Sequence, residues 1–136
     1  MNSNSKIEII KQGNKPTLPE SSNNDIPAWF NWAMSNAPSS HFVSVKDCQI
    51  HYLLWDDASD TEKSGSILFV HGGAAHSHWW SFLAPFFLAN FKVAALDLSG
   101  MGDSGKRQEY NAGLRAEEIY SVIEDANLGR STYVIG

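Results

Sequence analysis

An α/β fold, with helices layered on a mostly parallel sheet, follows from three features of this chain. Residues 67–70, 93–96 and 133–135 are continuous apolar runs, which mark strands covered on both faces. Stretches with helical spacing separate them, over about residues 79–89 and 112–127. Ahead of them, residues 41–45 and 49–55 alternate apolar with polar side chains, the signature of a half-buried antiparallel hairpin. The order hairpin, strand, helix, strand, helix, strand specifies a layered sheet with right-handed crossovers.

Composition narrows the field. The chain has 136 residues, at most one domain, and 43% apolar with 18% charged residues is ordinary for a globular protein. Ten Lys and Arg against fifteen Asp and Glu leave a net charge of −5 with no basic cluster, which argues against a nucleic-acid partner. The single cysteine, Cys48, rules out an internal disulfide and a four-thiolate metal site. Its place in a candidate strand makes it a packing residue. The N-terminus lacks the apolar core of a secretory signal, and the longest apolar stretch, residues 79–91, is too short for a bilayer and is interrupted by Pro85. A cytoplasmic protein with no membrane partner is expected.

Residues 1–25, rich in Asn, Ser, Pro and Lys, are expected to form a disordered tail. Residues 26–40 carry a short helix: Asp25 can cap it, Pro27 fits its first turn, and Pro38 ends it. Ala28, Trp29, Trp32 and Ala33 fall at helical spacing, and without a Lys/Arg face the helix should lay its tryptophans on the domain. The main, partial domain spans residues 41–136. Lys46 and Asp47 turn the hairpin, Asp being second to Gly in reaching left-handed backbone. Residues 56–66 form a polar, exposed loop. The helix over 79–89 is bent or broken near Pro85. The helix over 112–127 places Ala116, Ile119, Tyr120 and Ile123 on one side, and Gly129 stops it.

Two loops carry the chemistry. His71, Gly72, Gly73 and Ala74 follow a buried strand, and in open α/β sheets chemistry collects at the carboxyl ends of strands. Adjacent glycines there allow unusual torsions and bring backbone N–H groups close to a ligand. Such donors, aimed at one point, stabilise the oxyanion of a tetrahedral intermediate. The other reading of these residues is a plain glycine turn. His71, His76 and His78 also suggest a metal, but no carboxylate occurs between Gly65 and Asp97 to complete the ligand set, so no metal is expected.

The second loop holds Asp97, Gly100, Gly102, Ser104 and Gly105. Gly100, Gly102 and Gly105 formally match G-x-G-x-x-G, a dinucleotide motif. The motif needs a helix directly after its glycines, and here a polar loop, residues 106–111, intervenes. No cofactor is expected.

The strand-ending His71, Gly72 and Gly73, followed in order by D-x-x-G-x-G-x-S at Asp97, Gly100, Gly102 and Ser104, resemble the α/β-hydrolase superfamily. The resemblance covers about residues 41–136, including Gln49, Ile50, His51 and Tyr52 in the second strand. It implies the N-terminal part of an α/β-hydrolase sheet. It implies that the N–H of Gly73, with Ala74 as a neighbour, forms half of an oxyanion hole, and that Trp79 and Trp80 border the substrate pocket or pack on the sheet. His71, Gly72, Asp97, Gly100, Gly102 and Ser104 then have architectural roles. Asp97 precedes the family's nucleophile, so it is not the catalytic acid.

In that family the nucleophile follows the next strand, in a G-x-S-x-G turn whose first glycine aligns with Gly136. The expectation is therefore an N-terminal fragment, truncated before the nucleophile elbow and inactive alone. The parent would cleave an ester, epoxide or similar bond in a small-molecule substrate, with Ser or Asp as nucleophile. Esterase, epoxide hydrolase, haloalkane dehalogenase and carbon–carbon hydrolase all remain open. The fragment would leave an apolar strand edge suited to pairing with a missing C-terminal half. The alternative is a non-catalytic module of the same fold that binds a small molecule or anion through the Gly73 loop.

Overall fold

The computed structural model describes residues 26–56 and 62–136. The tail expected over residues 1–25, with its Asp25 cap, and the middle of the loop expected over 56–66 lie outside the described residues. Among the described residues the strands are β1 (Ser39–Val45), β2 (Cys48–Trp55), β3 (Gly65–Val70), β4 (Phe91–Leu96) and β5 (Thr132–Ile135). They form one sheet in the order β1-β2-β4-β3-β5. β2 is antiparallel to both β1 and β4, while β3 runs parallel to β4 and β5. Helix α1 (Ala28–Ser35) precedes the sheet, and helix α2 (Ala112–Asp125) connects β4 to β5.

Side-chain alternation splits the core between the two faces of the sheet. On one face Ile50, Tyr52, Leu68, Ala94 and Leu96 pack against Val122 of α2. On the other, Leu53, Trp55, Phe69, Val93 and Ala95 pack against Trp80, Ala84 and Phe87. Trp80 stacks on Phe69 with ring centroids 4.6 Å apart. Such a pair contributes about 0.5–1.5 kcal/mol beyond its buried area. The runs at 67–70 and 93–96 are strands covered on both faces, as their continuity requires.

β2 departs from its alternating pattern. It is an interior strand, and Ile50, His51, Tyr52 and Leu53 are all buried. The polar-looking position is occupied by His51, whose partners described below satisfy it inside the sheet. The turn into β2 uses Lys46 and Asp47, both with positive φ (46° and 61°), the pattern of a two-residue type I′ turn. Its strain is offset by Arg107, whose Nη2 donates to the Val45 carbonyl at 2.7 Å.

Three further expectations are corrected. The stretch 79–89 is not an α-helix but two 3-10 turns, Ser77–Trp80 and Ala84–Phe87. Pro85 supplies no N–H and disfavours helical backbone just before it, which confines the chain to short turns. In α2 the buried residues are Glu118 and Val122, whereas Ala116 and Tyr120 are exposed. Ile119 and Ile123 do pack against the core as expected, and Glu118 is buried as well because two arginines and a backbone N–H meet it there. β5, expected to be buried, lies at the sheet edge with Tyr133, Val134 and Ile135 exposed.

Helix α1 begins after Pro27, whose carbonyl accepts the N–H groups of Phe30 and Asn31. It ends at Ser35, before Pro38, because Ser35 Oγ and Asn36 Nδ2 both donate to the Trp32 carbonyl. Trp32 meets Phe86 edge-on at 4.9 Å and Trp29 lies near Phe82 and Phe86.

Candidate functional site

The two loops share one rim of the sheet because β3 and β4 are parallel neighbours. His71, buried at the end of β3, joins them. Its Nε2 lies 3.0 Å from the Leu98 backbone nitrogen and its Nδ1 lies 2.7 Å from the Gly72 carbonyl oxygen. A backbone N–H can only donate, so Nε2 accepts and the ring proton sits on Nδ1, facing Gly72. With both nitrogens occupied, His71 is a clamp between loops. His76 and His78 stand apart from it with ring centroids 6.0 Å from each other.

Between His71 and the first 3-10 turn, Ala75 N–H closes a turn on the Gly72 carbonyl at 3.3 Å. The residue held in left-handed backbone there is Ala74, with φ 59°, and neither Gly72 nor Gly73 has positive φ. A positive φ at the third turn residue is the requirement that usually selects Gly in a type II turn. The expectation that the glycines carry the unusual torsions is therefore corrected: they leave open space, since a β-carbon on either would meet nothing within 4 Å. Among the described residues no acceptor takes the N–H of Gly73 or Ala74. Trp79 is exposed while Trp80 packs on Phe69, and with Phe82 they line an apolar recess of about 340 Å³.

Asp97 organises the second loop. Its carboxylate, 1% exposed, accepts the Ser77 N–H through Oδ1, and the Asp103 N–H (2.9 Å) and His51 Nδ1 (2.8 Å) through Oδ2. Burial pushes its pKa up, but the donors from Asp103, Ser77 and His51 outweigh it and hold the carboxyl below the usual range. Ser104 donates to the Asp97 carbonyl at 2.6 Å and accepts the His51 N–H at 2.8 Å, locking β2 to β4. Gly102, with φ 51°, lies directly against the Asp97 carboxylate; Gly100, with φ 81°, lies against the Tyr110 hydroxyl.

The sequence reading missed His51, Ser77, Arg107 and Glu118. Glu118 is fully buried, accepting from Arg107 Nε (2.9 Å) and the Ser99 N–H (3.0 Å), with Arg115 Nη1 at 3.4 Å. Burial raises its pKa, and the Ser99 and Arg107 hydrogen bonds with the Arg115 charge bring it below the ordinary value. A carboxylate on an otherwise exposed-looking helix gives no sequence signal. His51, Asp97 and Asp103 bring one potential ligand atom each within 4.8 Å of one another. The Asp97 oxygens are already filled by N–H donors, so these residues form a hydrogen-bond hub rather than a cation site.

No helix among the described residues is long and apolar enough to cross a membrane. Residues 65–136 match the family model of the alpha/beta hydrolase fold. No curated protein matches the chain. Among solved structures, a bacterial membrane phospholipase A is 30% identical with a TM-score of 0.62, over 78% of this chain and 32% of its own. The Cif epoxide hydrolase from Acinetobacter nosocomialis is 23% identical with a TM-score of 0.63, over 85% of this chain and 39% of its own. A haloalkane dehalogenase loop variant from Bradyrhizobium elkanii is 23% identical with a TM-score of 0.61, over 72% and 31%. This chain thus spans between 31% and 39% of the length of these proteins. The matched model, the sheet and the two loops at its rim agree: the chain belongs to the α/β-hydrolase fold family.

Proposed function

We propose that this chain is the N-terminal portion of a hydrolase that cleaves an ester, epoxide or similar bond in a small molecule. The observation that carries this reading is the pair of N–H groups, Gly73 and Ala74, at the carboxyl end of β3, which meet no acceptor among the described residues. They form an oxyanion hole for the tetrahedral intermediate, and the recess at Trp79, Trp80 and Phe82 receives the apolar part of the substrate. The nucleophile, the acid and the histidine base lie beyond residue 136.

Register supports that arrangement. Phe69 pairs with Ile135, so the chain leaves β5 opposite the end of β3, and Gly136 packs against Val70. A residue two positions after Gly136 is then near the Gly73 loop, within reach of a substrate carbonyl held there. The coding sequence downstream of codon 136 tests this. The expected continuation is any residue, then Ser or Asp, then any residue and Gly. A stop codon in independent isolates would overturn it.

A further inference from the structure

Ser40 on β1, His51 on β2 and Asp97 after β4 stand in a hydrogen-bonded series that crosses β2, with Ser40 on the far side of β2 from the Gly73 loop. Ser40 Oγ is 2.7 Å from His51 Nε2, and His51 Nδ1 is 2.8 Å from Asp97 Oδ2. An ionised carboxylate only accepts, so His51 donates from Nδ1 and its Nε2 lone pair accepts the Ser40 hydroxyl proton. The ring is fixed at every edge: Asp97 is itself held by the Ser77 and Asp103 N–H groups, and Phe42 packs on the imidazole at 5.0 Å. His51 and Asp97 are each 1% exposed, whereas Ser40 is exposed on β1, an edge strand.

Backbone direction adds a donor. The N–H and carbonyl of His51 point to Ser104 and Asp97, so by alternation those of Ile50 and Tyr52 face β1. Their partners on β1 are Val43 and His41, which leaves the Ser40 and Phe42 N–H groups directed away from β2, at what is the sheet edge among the described residues. A carbonyl oxygen approaching Ser40 from that edge meets the serine's own N–H.

We propose that Ser40 is a second nucleophilic site, on β1 with two strands between it and β3, that takes an acyl group from a small activated ester. Ser40 Oγ bonds the carbonyl carbon, the ester C–O bond breaks, and the alkoxide or phenolate leaves. The hydroxyl proton passes to His51 Nε2 and then to the leaving group. Asp97 acts as a positioning residue. Nothing beyond residue 136 is needed, so failure here would leave the hydrolase reading intact.

The full chain provides its own control. Ser39 Oγ is also 2.7 Å from a histidine, Nε2 of His41, but its hydroxyl reaches the Leu54 carbonyl at 3.2 Å as well, the pair is exposed, and among the described residues no carboxylate is shown on His41. The test is timed reaction with p-nitrophenyl acetate, with acetylation mapped by mass spectrometry. Ser40 should acetylate roughly a hundredfold faster than Ser39, the scale of positioned general-base assistance. His51→Gln, checked for a cooperative melt, should bring Ser40 down to the Ser39 rate. Equal rates at Ser39 and Ser40 in the unaltered chain would overturn the proposal without any variant, and so would full Ser40 reactivity in a folded His51→Gln protein.

Discussion

Gly102 lies so close to the carboxylate of Asp97 that no β-carbon fits between them. The contact explains why the loop after β4 needs glycine there twice over, for space and for its φ of 51°. Gly102→Ala forces the carboxylate off its Ser77 and Asp103 donors or bends the loop. Left-handed alanine costs about 1–2 kcal/mol and overpacking about 1–3. A loss of about 3 kcal/mol is expected from denaturant titration. A loss below about 1 kcal/mol would mean the loop yields freely.

Acid should unfold the protein through Asp97 and Glu118. Both are held below their ordinary values of 3.8 and 4.5 when folded, so the unfolded chain binds more protons in that window. Their stabilisation is complete above about pH 4.5 and is lost as pH falls through the lower folded values. Glu118→Gln should lie about 3 kcal/mol below the parent at neutral pH, because it strands Arg107 beside a neutral group, and should show a shallower acid limb. Equally steep limbs in both proteins, followed by circular dichroism, would contradict the assignment.

Ala74 and Gly73 should respond in opposite ways to substitution. Ala74→Gly relieves left-handed backbone at a small entropic cost, a net gain of about 0.5–1 kcal/mol readable as a raised Tm. Gly73→Pro meets no steric obstacle at its β-carbon and removes one N–H donor. In the longer hydrolase proposed above it should leave Tm nearly unchanged and lower kcat about 100- to 1,000-fold. Unchanged kcat in that variant would remove Gly73 from the oxyanion hole.

β5 is an exposed apolar edge of the described sheet. Tyr133, Val134 and Ile135 are 62%, 51% and 40% exposed, beside backbone groups paired on one side only. Val134→Lys places a charge on that edge and should lower concentration-dependent light scattering of the chain. Scattering that persists unchanged would locate self-association elsewhere, with the aromatic patch of Trp29, Trp79 and Phe82 next in line.

Local pattern was enough to place the strands, the hairpin turn and the long helix, because period and turn chemistry depend on near neighbours in the chain. The resemblance implied architectural roles for Asp97, Gly100, Gly102 and Ser104, and the structure adds the contacts that each makes. The partners of buried polar groups were not legible. His51 meets residues 11 and 46 positions away, and Glu118 reaches back to Ser99, 19 positions earlier. Such choices depend on which strands become neighbours, and a carboxylate or imidazole looks the same in a sequence whether solvated or enclosed. The torsion at Ala74 was hidden for a related reason: a turn's strained position is fixed by how its two ends are held, here by the clamp of His71 on Leu98.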